Sequence, residues 1–356
     1  MQNYQIAIIP GDGVGHEISR EAEKVINAVA DKHSFEVGIH RFDWGCDYYI
    51  DHGNMAPENC LEVLKDFDSI FLGCIGDAAK VPDHVSLTFL LKIRKGFEQY
   101  VNLRPIKLYP GVKTPINTAS PQNVDFIVVR ENTEGEYSNM GGIFKPGTED
   151  AVALQTGVFT YKGCERVIRY AFELASTRGN KKKVTNCTKS NALNYSMVFW
   201  DSVYDEVSED FPNIKTDMAL VDAMTMWFVK NPEYFDVVVA SNLFGDIITD
   251  LGAMLQGGMG FAAGGNINPE RKYPSMFEPI HGSAPKYAGK GIVNPIASIE
   301  AVRLMLDHLG QEEAAASLQQ AVMQVLSKGR IKTKDMGGNS ITNEMGDAVK
   351  EALLSN

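Results

Sequence analysis

Residues 236–251 read Asp-Val-Val-Val-Ala-Ser-Asn-Leu-Phe-Gly-Asp-Ile-Ile-Thr-Asp-Leu. The unbroken apolar run Val237–Ala240 predicts a strand covered on both faces, as in parallel α/β sheets, and a helix after it. Asp246 and Asp250 stand four apart, which on a helix places both carboxylates on one face with Cβ atoms about 5–6 Å apart. Acid pairs at this spacing also occur on solvated helices. Here the pair follows the carboxyl end of a buried strand, where open α/β sheets bind ligands. Two carboxylates so close raise each other's pKa unless a cation neutralises them, and hard oxygen donors suit Mg²⁺ or Mn²⁺.

The same pattern recurs outward from this stretch. Strands are predicted near 4–9, 34–42, 69–73, 124–129, 184–188 and 218–221, separated by helical or turn-rich segments, which argues a mostly parallel α/β sheet. The last three deliver Arg130, Lys189 and Asp222 at their carboxyl ends. Arg94 lies on a helix opened by Pro82-Asp83, and Arg104 precedes Pro105. With Arg130 these guanidinium forks point to a polycarboxylate ligand, since arginine grips carboxylates bidentately. Pro10-Gly11-Asp12-Gly13-Val14-Gly15 joins the first strand to the first helix, but His16 stands where a Rossmann fingerprint wants glycine. A tight turn needing positive φ explains it better. Residues 139–163 predict a projecting hairpin, which is marginal alone and suits an arm clasped by a second subunit. The glycine-dense segment 252–268 reads either as a mobile connector near the site or as a long loop. Glycine and proline around His281 predict a rigid loop that a flat ligand approaches closely, and three helical patterns follow to the C-terminus.

The chain has 356 residues, 44% hydrophobic and 22% charged, with a net charge of −11. Two domains of a soluble enzyme fit that length and composition. The acidic balance argues against a nucleic-acid partner, so an anionic substrate must be drawn by local arginines. Five cysteines without a Cys-x-x-Cys pair read as buried thiols in a reducing cytoplasm. No apolar run reaches membrane-spanning length, and no signal peptide is evident.

Five motifs in order resemble one family over essentially the whole chain, the metal-dependent β-decarboxylating dehydrogenases of isocitrate, isopropylmalate, homoisocitrate and tartrate/D-malate. They are Ile-Pro-Gly-Asp-Gly-Val-Gly at 9–15, Asn-Leu-Arg-Pro at 102–105, Arg-Glu-Asn-Thr-Glu-Gly-Glu-Tyr at 130–137, Asn-Leu-Phe-Gly-Asp-Ile-Ile-Thr-Asp-Leu at 242–251 and His-Gly-Ser-Ala-Pro at 281–285. Val81–Leu87, Phe97–Pro105 and Tyr109–Val112 are most similar to the tartrate/D-malate dehydrogenase (decarboxylating) branch, as are Thr188–Asn191 and Val237–Asn242.

The resemblance implies an α/β isopropylmalate dehydrogenase-like fold, not Rossmann, with two domains and a shared central sheet. The large cofactor-side domain would comprise 1–99 and 257–356; the small domain, 100–256, would carry the arm and the catalytic residues. It further implies a homodimer in which Lys189 and Asp222 enter the partner's cleft. The implied reaction is NAD(P)-dependent oxidative decarboxylation of a 2-hydroxy acid, with Mg²⁺ or Mn²⁺ held by Asp246, Asp250 and a partner Asp222. Lys189 would act as base, directly or through Asp222, Tyr137 as acid, and Arg94, Arg104 and Arg130 as the carboxylate grip. His281, Gly282, Ser283, Ala284, Pro285, Lys286, Tyr287 and Asn294 would bind the cofactor. Lys286-Tyr287 replaces the aspartate of many NAD-using relatives and resembles NADP-dependent isocitrate dehydrogenases, which favours NADP over NAD. The wall Ser86–Leu91, including Leu90, offers no cation for isocitrate's third carboxylate. D-malate or tartrate therefore leads, ahead of isopropylmalate, then isocitrate or homoisocitrate. A regulatory subunit of a heteromeric dehydrogenase is the non-enzyme alternative; the intact tyrosine, lysine and aspartate set argues against it.

Overall fold

The computed structural model describes residues 2–117 and 119–355, which divide into two compact units. The first draws on residues 1–99, 107–121 and 253–356, the second on 100–106 and 122–252.

The first unit begins with β1 (Asn3–Gly11), α1 (Gly15–His33), β2 (Glu36–Arg41), two short helices α2 (Cys46–His52) and α3 (Cys60–Leu64), β3 (Ser69–Cys74) and α4 (Asp83–Gly96). The second supplies β4 (Val101–Lys107), β5 (Asp125–Glu131), β6 (Gly135–Phe144), β7 (Val152–Val158) and α5 (Tyr161–Thr177). It continues with β8 (Lys183–Thr188), α6 (Ser196–Glu209), β9 (Lys215–Leu220), α7 (Val221–Lys230), β10 (Val237–Ala240) and α8 (Asn242–Leu255). The chain then completes the first unit with β11 (Ala263–Ile267), β12 (Ser275–Pro279), α9 (Ile296–His308), α10 (Glu312–Lys328) and α11 (Thr342–Ser355).

In the first unit the strand order is β2-β1-β3-β12-β11, parallel except for the antiparallel β11–β12 pair. Every residue of β3 is buried. Helix α1 turns Ile18, Ala22, Val25 and Val29 inward at the 3.6-residue period and packs against α9 and α11. Burial of each valine or isoleucine among them contributes about 1.5–3 kcal/mol by leaving water. In the second unit the order is β4-β5-β10-β8-β9, with β10 parallel to both β5 and β8 and buried throughout. Strand β9 runs parallel to β8. The predicted arm is an antiparallel β6–β7 hairpin with exposed Met140, Ile143, Phe144 and Leu154.

The glycine-dense segment differs from both expectations made of it. Residues 263–267 form strand β11, buried throughout, and its partner β12 lies where the sequence predicts only the start of a loop. Gly265 is needed because a Cβ there would meet the Phe277 ring at 2.9 Å. Glycine here marks close packing within a sheet rather than mobility. The Pro10–Gly15 turn matches the positive-φ reading, with Gly11 at φ 70° and Gly13 at φ 57°. All five cysteines are free and buried. Among the described residues no helix is long and apolar enough to cross a membrane.

Candidate active site

In the second unit, Arg130 stands one residue before the end of β5 and β4 carries Arg104, both buried, while α8 starts after one intervening residue beyond β10 and presents Asp246. Asp246 Oδ1 accepts from Arg130 Nη1 at 2.5 Å and from Arg104 Nη2 at 3.4 Å. Its Oδ2 accepts from the Tyr137 hydroxyl at 3.0 Å. Tyr137 reaches this point from the root of the hairpin, with the Arg130 guanidinium 5.4 Å from its ring centroid. Burial first, and the charge of Asp246 next, push the Tyr137 phenol above its ordinary value, so it holds its proton at neutral pH.

Two residues that sequence reasoning missed fix the arginines. Asn242 Oδ1 accepts from Arg130 Nε and Nη2 at 3.1 and 2.7 Å, and Thr249 Oγ1 accepts from Arg104 Nη1 at 2.5 Å. Gly245 is obligatory beside them, since a Cβ there would come within 2.5 Å of the Arg130 side chain. The motif at 242–251 is thus one helical face that seats two guanidiniums while presenting its acids.

Asp250 lies one turn beyond Asp246. Partial desolvation raises its pKa; Arg104 lowers it, and the Asp246 charge raises it further. A divalent cation fits this pair, because hard oxygen donors that repel each other gain most from an added positive charge. Lys189, at the end of β8, donates to Asp222 Oδ1 at 2.7 Å, and this contact draws the Asp222 carboxyl below its ordinary range. Asp222 opens α7 and its side chain is 65% exposed. Among the described residues no three His, Cys, Asp or Glu side chains gather to hold a metal, so within one chain Asp222 does not join Asp246 and Asp250. The second unit therefore holds these residues in two separate clusters, one of arginines, tyrosine and two acids, the other the Lys189–Asp222 pair.

The first unit holds the remaining expected residues. Arg94 is buried, its Nη2 donating to Glu278 Oε1 at 3.0 Å while its Nε finds no acceptor. Leu90 lines a cavity of about 260 Å³ with Cys74, Ile75, Asp83, Ser86, Leu87, Glu278 and His281. A second cavity of about 500 Å³ is lined by His281, Gly282, Ala284, Tyr287 and Asn294, as expected. Val14, Ile292, Val293, Lys334 and Asp335 line it too and were missed. Ser283, Pro285 and Lys286 are not among its lining residues. The Ser283 hydroxyl turns inward to the Gly76 carbonyl, and Lys286 Nζ lies 4.9 Å from the Tyr287 ring centroid.

The first unit thus holds two cavities, and the second a pair of buried arginines and a tyrosine–carboxylate contact. Residues 5–349 match the isocitrate/isopropylmalate dehydrogenase family. The chain belongs to that family. It is 48% identical over 355 residues to a probable tartrate dehydrogenase/decarboxylase of Bacillus subtilis, covering 99% of each chain. It is 47% identical over 361 residues to the decarboxylating D-malate dehydrogenase of Escherichia coli, again covering 99% of each. The crystal structure of isocitrate dehydrogenase from Methylococcus capsulatus superposes with a TM-score of 0.89 at 35% identity, covering 98% of this chain and 99% of that one. Family and relatives alike are decarboxylating dehydrogenases acting on a CH–OH group.

Proposed function

We propose that the protein oxidises a malate-type 2-hydroxy acid at C2 and releases the β-carboxylate as CO₂, with D-malate or tartrate as the leading substrate. The convergence of Arg104, Arg130 and Tyr137 on Asp246, one turn from Asp250, carries this reading. Asp246 and Asp250, with Asp222 from a second copy, would hold a divalent cation, which would supply positive charge beside the 2-hydroxyl and the carbon that loses CO₂. NAD(P) supplies the hydride acceptor.

The chain's own residues do the rest. Arg104 and Arg130 grip a carboxylate and fix the acid's orientation, a bidentate task for which lysine is a poor substitute. Lys189 takes the hydroxyl proton, with Asp222 beside it to pass that proton on. Tyr137, which keeps its proton, returns one to the carbon that lost CO₂. Lys189 and Asp222 would enter from the second copy of a homodimer. That agrees with the exposed apolar side chains on the β6–β7 hairpin and with Met226 on α7 and Ile247 on α8, 69% and 54% exposed.

The smaller cavity supports the substrate choice. Its lining includes neither lysine nor arginine but does include Asp83 and Glu278, a poor home for a third carboxylate and an acceptable one for hydrogen or hydroxyl at C3. For the cofactor we favour NADP, because Lys334 lines the larger cavity beside Tyr287 and Lys286 and Lys290 lie near the same ring. Steady-state rates with D-malate, tartrate, isopropylmalate and isocitrate, each with NAD and NADP and with Mn²⁺ or Mg²⁺, test both choices. The expected outcome is fastest turnover of D-malate or tartrate with NADP and none after chelation. Equal rates for all four acids would refute the reading of the cavity wall.

A further inference from the structure

The sequence assigns the turn at 10–15 no ligand, yet its carboxylate is one of the most buried acids of the first unit. Asp12 is 5% exposed and lines neither cavity. Its Oδ1 accepts from the Cys46 amide at 2.8 Å and its Oδ2 from the Gly76 amide at 2.7 Å. Its own amide donates to the Cys74 carbonyl at 2.7 Å. Gly76 in turn accepts at its carbonyl from the Ser283 hydroxyl, and the Ser283 carbonyl accepts from the Val14 amide at 2.8 Å. The contacts close a ring through three segments, the 10–15 turn, the 74–76 loop and the His281–Pro285 loop.

Each segment borders a cavity. Val14, Gly282 and Ala284 line the larger one; Cys74, Ile75 and Gly282 line the smaller. Beyond Gly76, a Cβ at that residue would stand 3.2 Å from Ser86 Oγ, on the helix that carries Leu87 and Leu90. The glycines permit the close approach: a Cβ at Gly13 would come within 2.1 Å of the Ser283 carbonyl oxygen, and one at Gly11 within 1.9 Å of the Cys74 carbonyl oxygen. A buried carboxylate with backbone amides on both oxygens has a fixed position and direction, because rotating it would orphan a buried donor.

We infer that Asp12 and Ser283 are positioning residues that lock the cofactor loop and the loop leading to the acid-binding wall into one register, so that the two cavities are set together. Asp12 lines neither cavity; it acts through Gly76, and Ser283 links that amide's residue to the loop that carries His281. The inference rests on the larger cavity being the cofactor site. It assigns the first glycine motif a coupling role in place of the phosphate contact that such turns make in Rossmann folds.

The test is direct binding of NADPH and NADH, followed by nucleotide fluorescence without acid or metal, alongside thermal unfolding and steady-state kinetics. Ser283→Ala removes one link and keeps the backbone contacts; Ser283→Thr restores the hydroxyl. Asp12→Asn turns an amide nitrogen toward one of two backbone donors. Loss of one such buried contact is expected to weaken nucleotide binding roughly tenfold and to raise KM for the acid by a similar factor, with kcat changed far less. Ser283→Thr is expected to recover both constants. A Ser283→Ala protein that melts as wild type and binds nucleotide as wild type would overturn the inference, and so would a rise in nucleotide Kd with no change in the acid KM. If Asp12→Asn does not fold, the serine pair decides. Wild-type protein that binds neither nucleotide would remove the cofactor reading and the inference with it; wild-type binding with unchanged variants removes the inference alone.

Discussion

Alanine at Lys189 is expected to lower kcat by roughly 10²–10⁴-fold, the range a positioned proton-transfer group supplies. Lys189 follows strand β8, which pairs with a strand on each side, and its ammonium contacts Asp222 at 2.7 Å. The ion pair is too exposed to stabilise the fold by much, so the variant should melt near the wild-type temperature. Arginine is not expected to rescue it, because a guanidinium does not give up its proton in this pH range. Rates measured with D-malate, NADP and Mn²⁺, together with circular dichroism of the same samples, separate a chemical defect from a folding one. Unchanged turnover in the alanine variant would remove the residue from the mechanism.

Asparagine at Asp246 is expected to cost about 10³-fold in kcat/KM, a loss on the scale of removing one electrostatic anchor from a preorganised site. Three effects act together. The helix face loses half of its hard-oxygen pair. Arg130 and Arg104, both buried, lose the carboxylate that faces them. Tyr137 loses the anion that helps hold its proton. Raising Mn²⁺ should recover part of the rate, since Asp250 remains; a variant whose rate and metal requirement match wild type would exclude Asp246 as a ligand.

The candidate site was legible in sequence where a charged side chain follows a short apolar run. Arg130 and Lys189 both stand at the carboxyl end of a strand whose alternation or continuity is visible, and Asp222 lies in the first turn of the helix that follows β9. The acids at 246 and 250 were legible because helical spacing fixes their common face. Partners distant in sequence were not. Arg94 and Glu278 meet across 184 positions, and nothing near either one signals the other. Asn242 and Thr249 sit inside the motif that drew attention to the aspartates, but their contacts with Arg130 and Arg104 depend on β5 lying beside β10 and β4 beside β5. Glycine misled where it serves packing: residues 264–265 look like a flexible loop until Phe277 is placed across from them. Asp12 stood in plain view within a recognised turn, yet a buried carboxylate reveals its role only through the two amides it accepts.

Subunit exchange between the two inactive variants reaches the claim on which the rest depends, that each site draws Asp246 from one copy and Lys189 from the other. Lys189→Ala and Asp246→Asn homodimers, differently tagged and mixed under conditions that re-pair them, form mixed dimers in which one site has both intact residues and the other has neither. Random pairing makes half the dimers mixed, so the account predicts recovery to about a quarter of wild-type activity. Verified mixed dimers that stay as inactive as their parents would contradict it, because both residues would then have to act from the same chain.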